Sequence, residues 1–275
     1  MALGFGFNKA KVLASAEKYV QQGKLQNAIG EYEKVAKEDA KDLTVLNTIG
    51  DLYARLGQVD KATASFRKVG DHYASDGFTV KAIAMYKKLT KLNPSAVDAV
   101  QRLAEFYTQQ GLYNDARQQY VAVAEYWLKN NDQAAAAGVF NKMLELDPDN
   151  AAVQTKLADL YIKLGKKEDA KEIFFRAADS LHMRGALDAA DEALGKILNI
   201  DPTNARALMK RSQLAMDQGD GATATRMLGQ VSNLDANPDG LALLLRARLM
   251  TGEADAAENA ARTLVQSHKD FSGIS

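Results

Sequence analysis

LNTIGDLYARLGQVDKATASF, residues 46–66, is the stretch that decides the fold. Its apolar positions Leu46, Ile49, Leu52, Tyr53 and Leu56 fall three and four apart, on one face of a helix with 3.6 residues per turn. Gly57 then ends the run, because glycine takes the left-handed backbone just past a helix end without a steric penalty. A second apolar stripe follows through Ala62 and Phe66. The pattern returns at a 54-residue interval: Pro94, Pro148 and Pro202, three of only 4 prolines, keep it, as do Gly57, Gly111, Gly165 and Gly219. A second turn column runs through Gly23, Gly77, Asn131 and Gly185, and the triplets Tyr53, Tyr107, Tyr161 and Ala62, Ala116, Ala170 and Ala82, Ala136, Ala190 keep the same spacing. Repetition on this scale is the mark of a stacked array whose units bury their apolar faces against one another.

The full units are 41–94, 95–148 and 149–202, with 9–40 as the last two thirds of an earlier one. Each holds three helices, predicted in the first unit near 43–56, 60–75 and 78–92, with breaks at Gly57, at Gly77 and at Asn93-Pro94, where proline cannot continue a helix. No alternating run of β-branched residues competes. After Pro202 the spacing shortens to the 33 residues between Gly219 and Gly252, so 203–275 reads as divergent two-helix repeats. The longest turn-rich cluster, LDANPDG at 234–240, is too short to be a linker. The expectation is a single all-α helical-repeat solenoid over 1–275.

These residues resemble the tetratricopeptide repeat. Leu46, Ile49, Gly50, Tyr53, Gly57, Ala62 and Phe66 carry the residue types of its 34-residue signature at the family's spacings. Val100, Leu103, Ala104, Tyr107, Gly111, Ala116 and Tyr120 repeat it; so do Leu157, Ala158, Tyr161, Gly165, Ala170 and Phe174, where Gln154 stands in place of the large apolar residue expected first. A second, overlapping set begins on the middle helix, with Phe66, Val69, Gly70, Tyr73, Gly77, Ala82, Tyr86 and Pro94, and again with Tyr120, Val123, Ala124, Trp127, Asn131, Ala136, Phe140 and Pro148. The middle helix therefore serves two repeats, which departs from the family's ordinary two-helix stacking. The resemblance implies a TPR-like superhelix whose curvature does not carry over.

Composition narrows the function. Lys+Arg 35 against Asp+Glu 35 leaves a net charge of +0, which offers no overall attraction to nucleic acid or to an anionic membrane. Cys 0 excludes disulfides, thiolate metal sites and a cysteine nucleophile. No basic leader and no window of about 18 uncharged apolar residues occurs, so the expected address is cytoplasmic. The histidines His72, His182 and His268 are scattered, without metal-ligand spacing. DANPDG at 235–240 opens like a calcium loop, but Arg246 occupies the place of the twelfth-position glutamate, so it reads as a turn. Gly4 and Gly6 fit no dinucleotide loop, and Phe5 and Phe7 read as a staple on the first helix. Eight of the 10 tyrosines and Trp127 lie on repeat landmarks, which assigns them to the core rather than to base stacking. No catalytic residue, cofactor or metal is expected.

One polar column stands out. Glu17, Asp51, Asp71, Glu105, Glu125, Asp159 and Asp179 place an acid two residues ahead of the aromatic site in every matched repeat. In the resembled family this position faces the inner groove, where members that clamp a C-terminal carboxylate carry Asn with Lys nearby; acids would repel that ligand. Two readings stand. The acids pair along their own helices, as Asp51 with Arg55, Glu125 with Lys129 and Asp159 with Lys163; or they receive a protein or peptide partner with basic residues, engaging Asn47, Asp51, Arg55, Gln101, Glu105, Gln109, Thr155, Asp159 and Lys163. The resulting expectation is a noncatalytic interaction scaffold that binds neither nucleic acid nor membrane. A self-associating structural protein is the alternative, and an enzyme with an unrecognised site is third. Residues 241–250, LALLLRARLM, are apolar almost all round, which implies that the C-terminal end is covered by Ala257, Ala261, Leu264 and Val265 and by a further element: a second copy, a partner, more repeats, or the tail with Phe271 and Ile274.

Replacing Ala116 by Leu should destabilise the chain by ~1–3 kcal/mol, because a small landmark permits close helix approach and extra bulk strains it. Gln118→Ala should leave the thermal midpoint nearly unchanged; equal shifts for the two variants would mean the register is wrong.

Overall fold

A computed structural model describes residues 7–267. The predicted Phe5, Gly4 and Gly6 features, His268 and the Phe271–Ile274 tail lie outside them. Among the described residues every regular element is helical, and the fold is an all-α helical-repeat solenoid. Its contacts group into two compact units, Met1–Asn130 and Asn131–Ser275.

The first unit contains α1 (Lys9–Gln21), α2 (Leu25–Glu38), α3 (Leu43–Arg55), α4 (Val59–Ser75), α5 (Thr79–Leu92), α6 (Val97–Gln109) and α7 (Tyr113–Lys129). The second contains α8 (Gln133–Leu146), α9 (Ala151–Lys163), α10 (Lys167–Met183), α11 (Leu187–Ile200), α12 (Ala205–Asp217), α13 (Gly221–Leu228), α14 (Pro238–Met250) and α15 (Ala254–Ser267). The three helices foreseen from residue 43 onward form within one residue of their predicted limits. Their ends have the foreseen cause: Gly57 sits at φ 71°, its N–H bonds the Ala54 carbonyl at 3.0 Å, and the next N–H, of Gln58, reaches back to Tyr53 at 3.0 Å. Asn131, the one non-glycine in the second turn column, adopts φ 58°, which its short polar side chain tolerates.

Packing follows the small landmarks. A Cβ added to Gly50 on α3 would lie 2.8 Å from the Phe66 ring of α4, and one added to Gly70 on α4 would lie 2.8 Å from the Tyr86 ring of α5. The missing side chains are thus what admit the two rings. The middle helix α4 is packed from both sides in this way, as the overlapping repeats require. In the second unit α10 is likewise shared. Phe174 and Phe175 form one core with Ala158 of α9 and with Ala190, Leu194 and Ile197 of α11. Gln154, the departure from the signature, is fully buried on α9; its amide donates to the Pro148 carbonyl at 2.6 Å, while its Oε1 has no partner.

Past α11 the third helix is dropped, and α12 to α15 form two helix pairs. A 3-10 turn at Leu234–Ala236 leads into α14, where the Asn237 side chain accepts the Gly240 N–H at 2.9 Å. The calcium-like stretch is therefore a helix cap. Leu241, Leu244 and Ala247 of α14 are buried, and α15 covers them with Ala257, Ala260 and Leu264. The expectation for α15 needs a correction at two positions. Ala260 rather than Ala261 completes the 257, 260, 264 face, and Val265, one step further round the helix, is 50% exposed.

The first helix of each unit begins at equivalent caps, and three of the four are polar. Asp42 accepts from Val45 N–H, Asn150 from Val153 N–H and Asn204 from Ala207 N–H, but Ala96 on α6 offers no side-chain acceptor. Its backbone, φ −74° and ψ 75°, nearly matches that of Asp42 at −72° and 84°. Ala96→Asn should therefore stabilise the chain by ~0.5–2 kcal/mol, seen as a raised urea midpoint. A lowered midpoint would show that the vacant cap is already satisfied.

Candidate interaction surface

Residues four apart on a helix share a face, and the candidate residues fall on three such stripes. Asn47, Asp51 and Arg55 lie along α3, Gln101, Glu105 and Gln109 along α6, and Thr155, Asp159 and Lys163 along α9. Burial repeats with the sequence: the first two members of each stripe are half-buried and the third is exposed. On α3, Asp51 and Arg55 line a cleft of about 330 Å³ together with Glu17 of α1 and Tyr32 of α2. Two acids of the column thus meet at one opening.

The partners of Asp51 and Asp159 come from other helices. Lys88 of α5 donates to both carboxylate oxygens of Asp51, at 2.7 and 2.9 Å, and to Asn47 Oδ1 at 3.0 Å. Lys196 of α11 does the same to Asp159 at 3.0 Å to each oxygen. In both cases the ammonium lies over the ring of the intervening helix, 4.9 Å from Phe66 and 5.3 Å from Phe174. This corrects the reading in which Asp51 pairs with Arg55 and Asp159 with Lys163. The third helix of the unit brings a lysine across a buried aromatic ring, and the added cation–π attraction favours that partner. Asp179 bonds Lys210 of α12, and Asp71 accepts from the Tyr86 hydroxyl. Glu105 bonds Arg102 on its own helix at 3.0 Å. The side chains of Asp51 and Asp159 are still 47% and 44% exposed. Each exposed pair contributes only ~0.2–1 kcal/mol. A signal for this pairing was available: Lys34, Lys88, Lys142 and Lys196 form a column at the 54-residue interval.

Two buried hydroxyls anchor the same surface. Tyr53 donates to Glu33 Oε1 at 2.8 Å, and burial together with that carboxylate pushes its pKa up to about 12. Burial and Asp71 push the Tyr86 hydroxyl up as well. The histidines form separate pairs, His72 with Asp76 at 3.6 Å and His182 with Asp217 at 2.8 Å. Among the described residues no three His, Cys, Asp or Glu side chains converge on a metal-sized point, and no helix is long and apolar enough to cross a membrane.

Two tetratricopeptide-repeat family models match this chain, one over residues 73–126 and 128–183 and the other over 13–77, together more than half its length. The chain belongs to the tetratricopeptide-repeat family. No curated protein sequence matches it significantly. It is similar to a solved tetratricopeptide repeat protein from Parabacteroides merdae at 15% identity, over 97% of this chain and 95% of that one, with a TM-score of 0.32. It is also similar to PilW, a type IV pilus biogenesis factor, at 16% identity over 97% and 96% with a TM-score of 0.32. A thermophilic TPR protein of Thermus thermophilus gives 18% identity over 76% and 93%, with a TM-score of 0.30. Tetratricopeptide repeats generally mediate protein–protein interaction and are generally noncatalytic.

The tyrosine anchors predict an alkaline transition. An acid whose folded pKa lies above its unfolded value of about 10 stabilises the fold fully below that pH and loses the contribution as pH rises through the folded value. The urea midpoint should therefore fall between about pH 10 and 12. Tyr53→Phe should lower the midpoint at neutral pH by the equivalent of ~1 kcal/mol and make the alkaline fall shallower. An unchanged alkaline slope in the variant would show that Tyr53 is not the group responsible.

Proposed function

We propose that this tetratricopeptide-repeat protein is a noncatalytic, cytoplasmic scaffold, that residues 1–275 act as one continuous solenoid, and that it holds a protein or peptide partner on the polar stripes of its helices. The observation that carries this reading is the recurrence of the stripes. Asn47, Asp51 and Arg55 on α3 have counterparts of matching burial in Gln101, Glu105 and Gln109 on α6 and in Thr155, Asp159 and Lys163 on α9. None of these side chains is buried in the core, and those of Asp51 and Asp159 keep nearly half their surface accessible. A partner with lysine or arginine at regular spacing would exchange with Lys88 and Lys196 at the carboxylates, with little net change in ion pairing. Such exchange favours fast, selective association over high affinity. Neutral overall charge supports a protein partner over nucleic acid or membrane.

A self-associating structural role is the second reading. Leu249, Met250 and Val265 on the last two helices are 61%, 48% and 50% exposed, which favours a covered C-terminal end. Light scattering over a range of concentrations separates the two readings.

For the scaffold reading, the test is a partner captured from the native lysate and then purified. Asp51→Asn, Glu105→Gln and Asp159→Asn together should slow its association more than they speed its dissociation. The wild-type affinity should weaken with salt, since exposed charges are screened over ~8 Å at physiological ionic strength. A partner indifferent both to salt and to the triple variant would sink the proposal.

A further inference from the structure

A second groove in the first unit is lined by lysines rather than by acids. It encloses about 710 Å³ between α5, α6 and α7. Its floor is the buried face of α6, with Val100, Leu103 and Tyr107; the exposed small residues Ala84 of α5 and Ala122 of α7 leave its sides open. None of the lining residues carries a carboxylate. Helix α5, TVKAIAMYKKLTKL, has four lysines and no acid, and Lys87, Lys88 and Lys91 all border the groove.

The repeat separates the structural lysine from the other two. Lys88 belongs to the column Lys34, Lys88, Lys142 and Lys196, and its ammonium is committed to Asp51 and Asn47. Lys87 and Lys91 belong to no such column. Their counterparts are Glu33 and Lys37, Asn141 and Glu145, and Gly195 and Asn199, so no other unit carries both cations. Both are exposed, neither makes an ion pair among the described residues, and they stand four apart on the groove's edge. Exposed, unpaired cations beside an apolar floor complement a ligand that is acidic along one edge and apolar along the other.

We infer that the α5–α6–α7 groove docks an acidic amphipathic protein segment, laying apolar side chains between Ala84 and Ala122 over the floor formed by Val100, Leu103 and Tyr107, and its carboxylates against Lys87 and Lys91. Nucleic acid fits less well. Binding a nucleic-acid backbone needs a broad positive footprint, and the chain has no net positive charge. This inference shares with the proposed function only the general role in protein interaction; it does not depend on the acid stripes.

The probe is a fluorescent helical peptide, blocked at both ends, with Leu on one face and Glu along its flank, titrated into the full chain. A control peptide carries Lys at each Glu. The Glu peptide should bind, its affinity should fall with added salt, and K87E together with K91E should weaken it at least tenfold. Both residues are exposed, so an unchanged circular-dichroism melt should accompany that loss, and K87Q with K91Q gives a milder variant if it does not. Asp159→Asn, whose lysine partner Lys196 does not line this groove, should leave this peptide's affinity unchanged, which distinguishes the groove from the stripes. Three results would each overturn the inference: no binding of the Glu peptide, equal binding of the Lys peptide, or equal binding by the lysine variants. So would a single-stranded oligonucleotide or an anionic vesicle that binds the wild type more tightly than the peptide and is equally sensitive to K87E and K91E.

Discussion

A helix that must be packed on two sides at once needs small residues in two registers, and α4 is such a helix. Phe66 leaves it toward α3, where Gly50 makes room, and Gly70 on α4 makes room for Tyr86 of α5. Either glycine enlarged by one methyl would place a carbon inside an aromatic ring's contact distance. Interiors are close-packed, so the neighbours could relieve that only by shifting. The 54-residue period follows from this double use. Two ordinary repeats would each bring a separate pair of helices, whereas here the second helix of one repeat is the first of the next.

Sharing a helix also brings the third helix of a unit within side-chain reach of the first. A lysine on α5 or α11 can then cross the aromatic ring of the middle helix to a carboxylate on α3 or α9. The pair ties together the two outer helices of the unit without burying a charge, so the large desolvation penalty of an interior ion pair does not arise. It also sets the character of the polar surface. An acid held by one lysine presents a directed, partly neutralised acceptor rather than a bare anionic stripe, which disfavours indiscriminate attraction to polycations.

Helix positions were legible in the sequence because their limits depend on local chemistry. Gly57, Gly77 and Asn93-Pro94 end helices for reasons contained within a few residues, and the three- and four-residue apolar spacing of Leu46 to Leu56 needs no tertiary context. The ion pairs were not legible in the same way. A carboxylate at 51 has Arg55 one turn away and Lys88 37 positions away, and only the three-helix arrangement makes the distant one the neighbour. Local reasoning therefore chose Arg55. On α15 the face was legible but its rotation was not, since Ala260 and Ala261 are chemically equivalent and only packing against α14 selects one. At Gln154 the signature predicted an apolar side chain. The buried amide is held there by the Pro148 carbonyl, six residues back across a turn, which no periodicity reports.

In a repeat protein, recurrence and departure from recurrence carry different information. A residue type that returns at every unit is explained by the unit's own packing, as the Lys34, Lys88, Lys142 and Lys196 column is where it meets Asp51 and Asp159. A charge that appears in one unit alone cannot be explained that way, because the other units fold without it. Lys87 is of this second kind, and so is its combination with Lys91, whose counterpart Lys37 stands without a second lysine at position 33. They cost the fold little, being solvated and unpaired, and they contribute little to it for the same reason. Their effect is on the field over one groove, where two cations on a carboxylate-free rim bias what can approach an apolar floor. The neutrality of the chain is thus an average over a surface with an acid-bearing cleft near α1 and α3 and a basic groove at α5 to α7, and the field over any one patch differs from what the net charge implies.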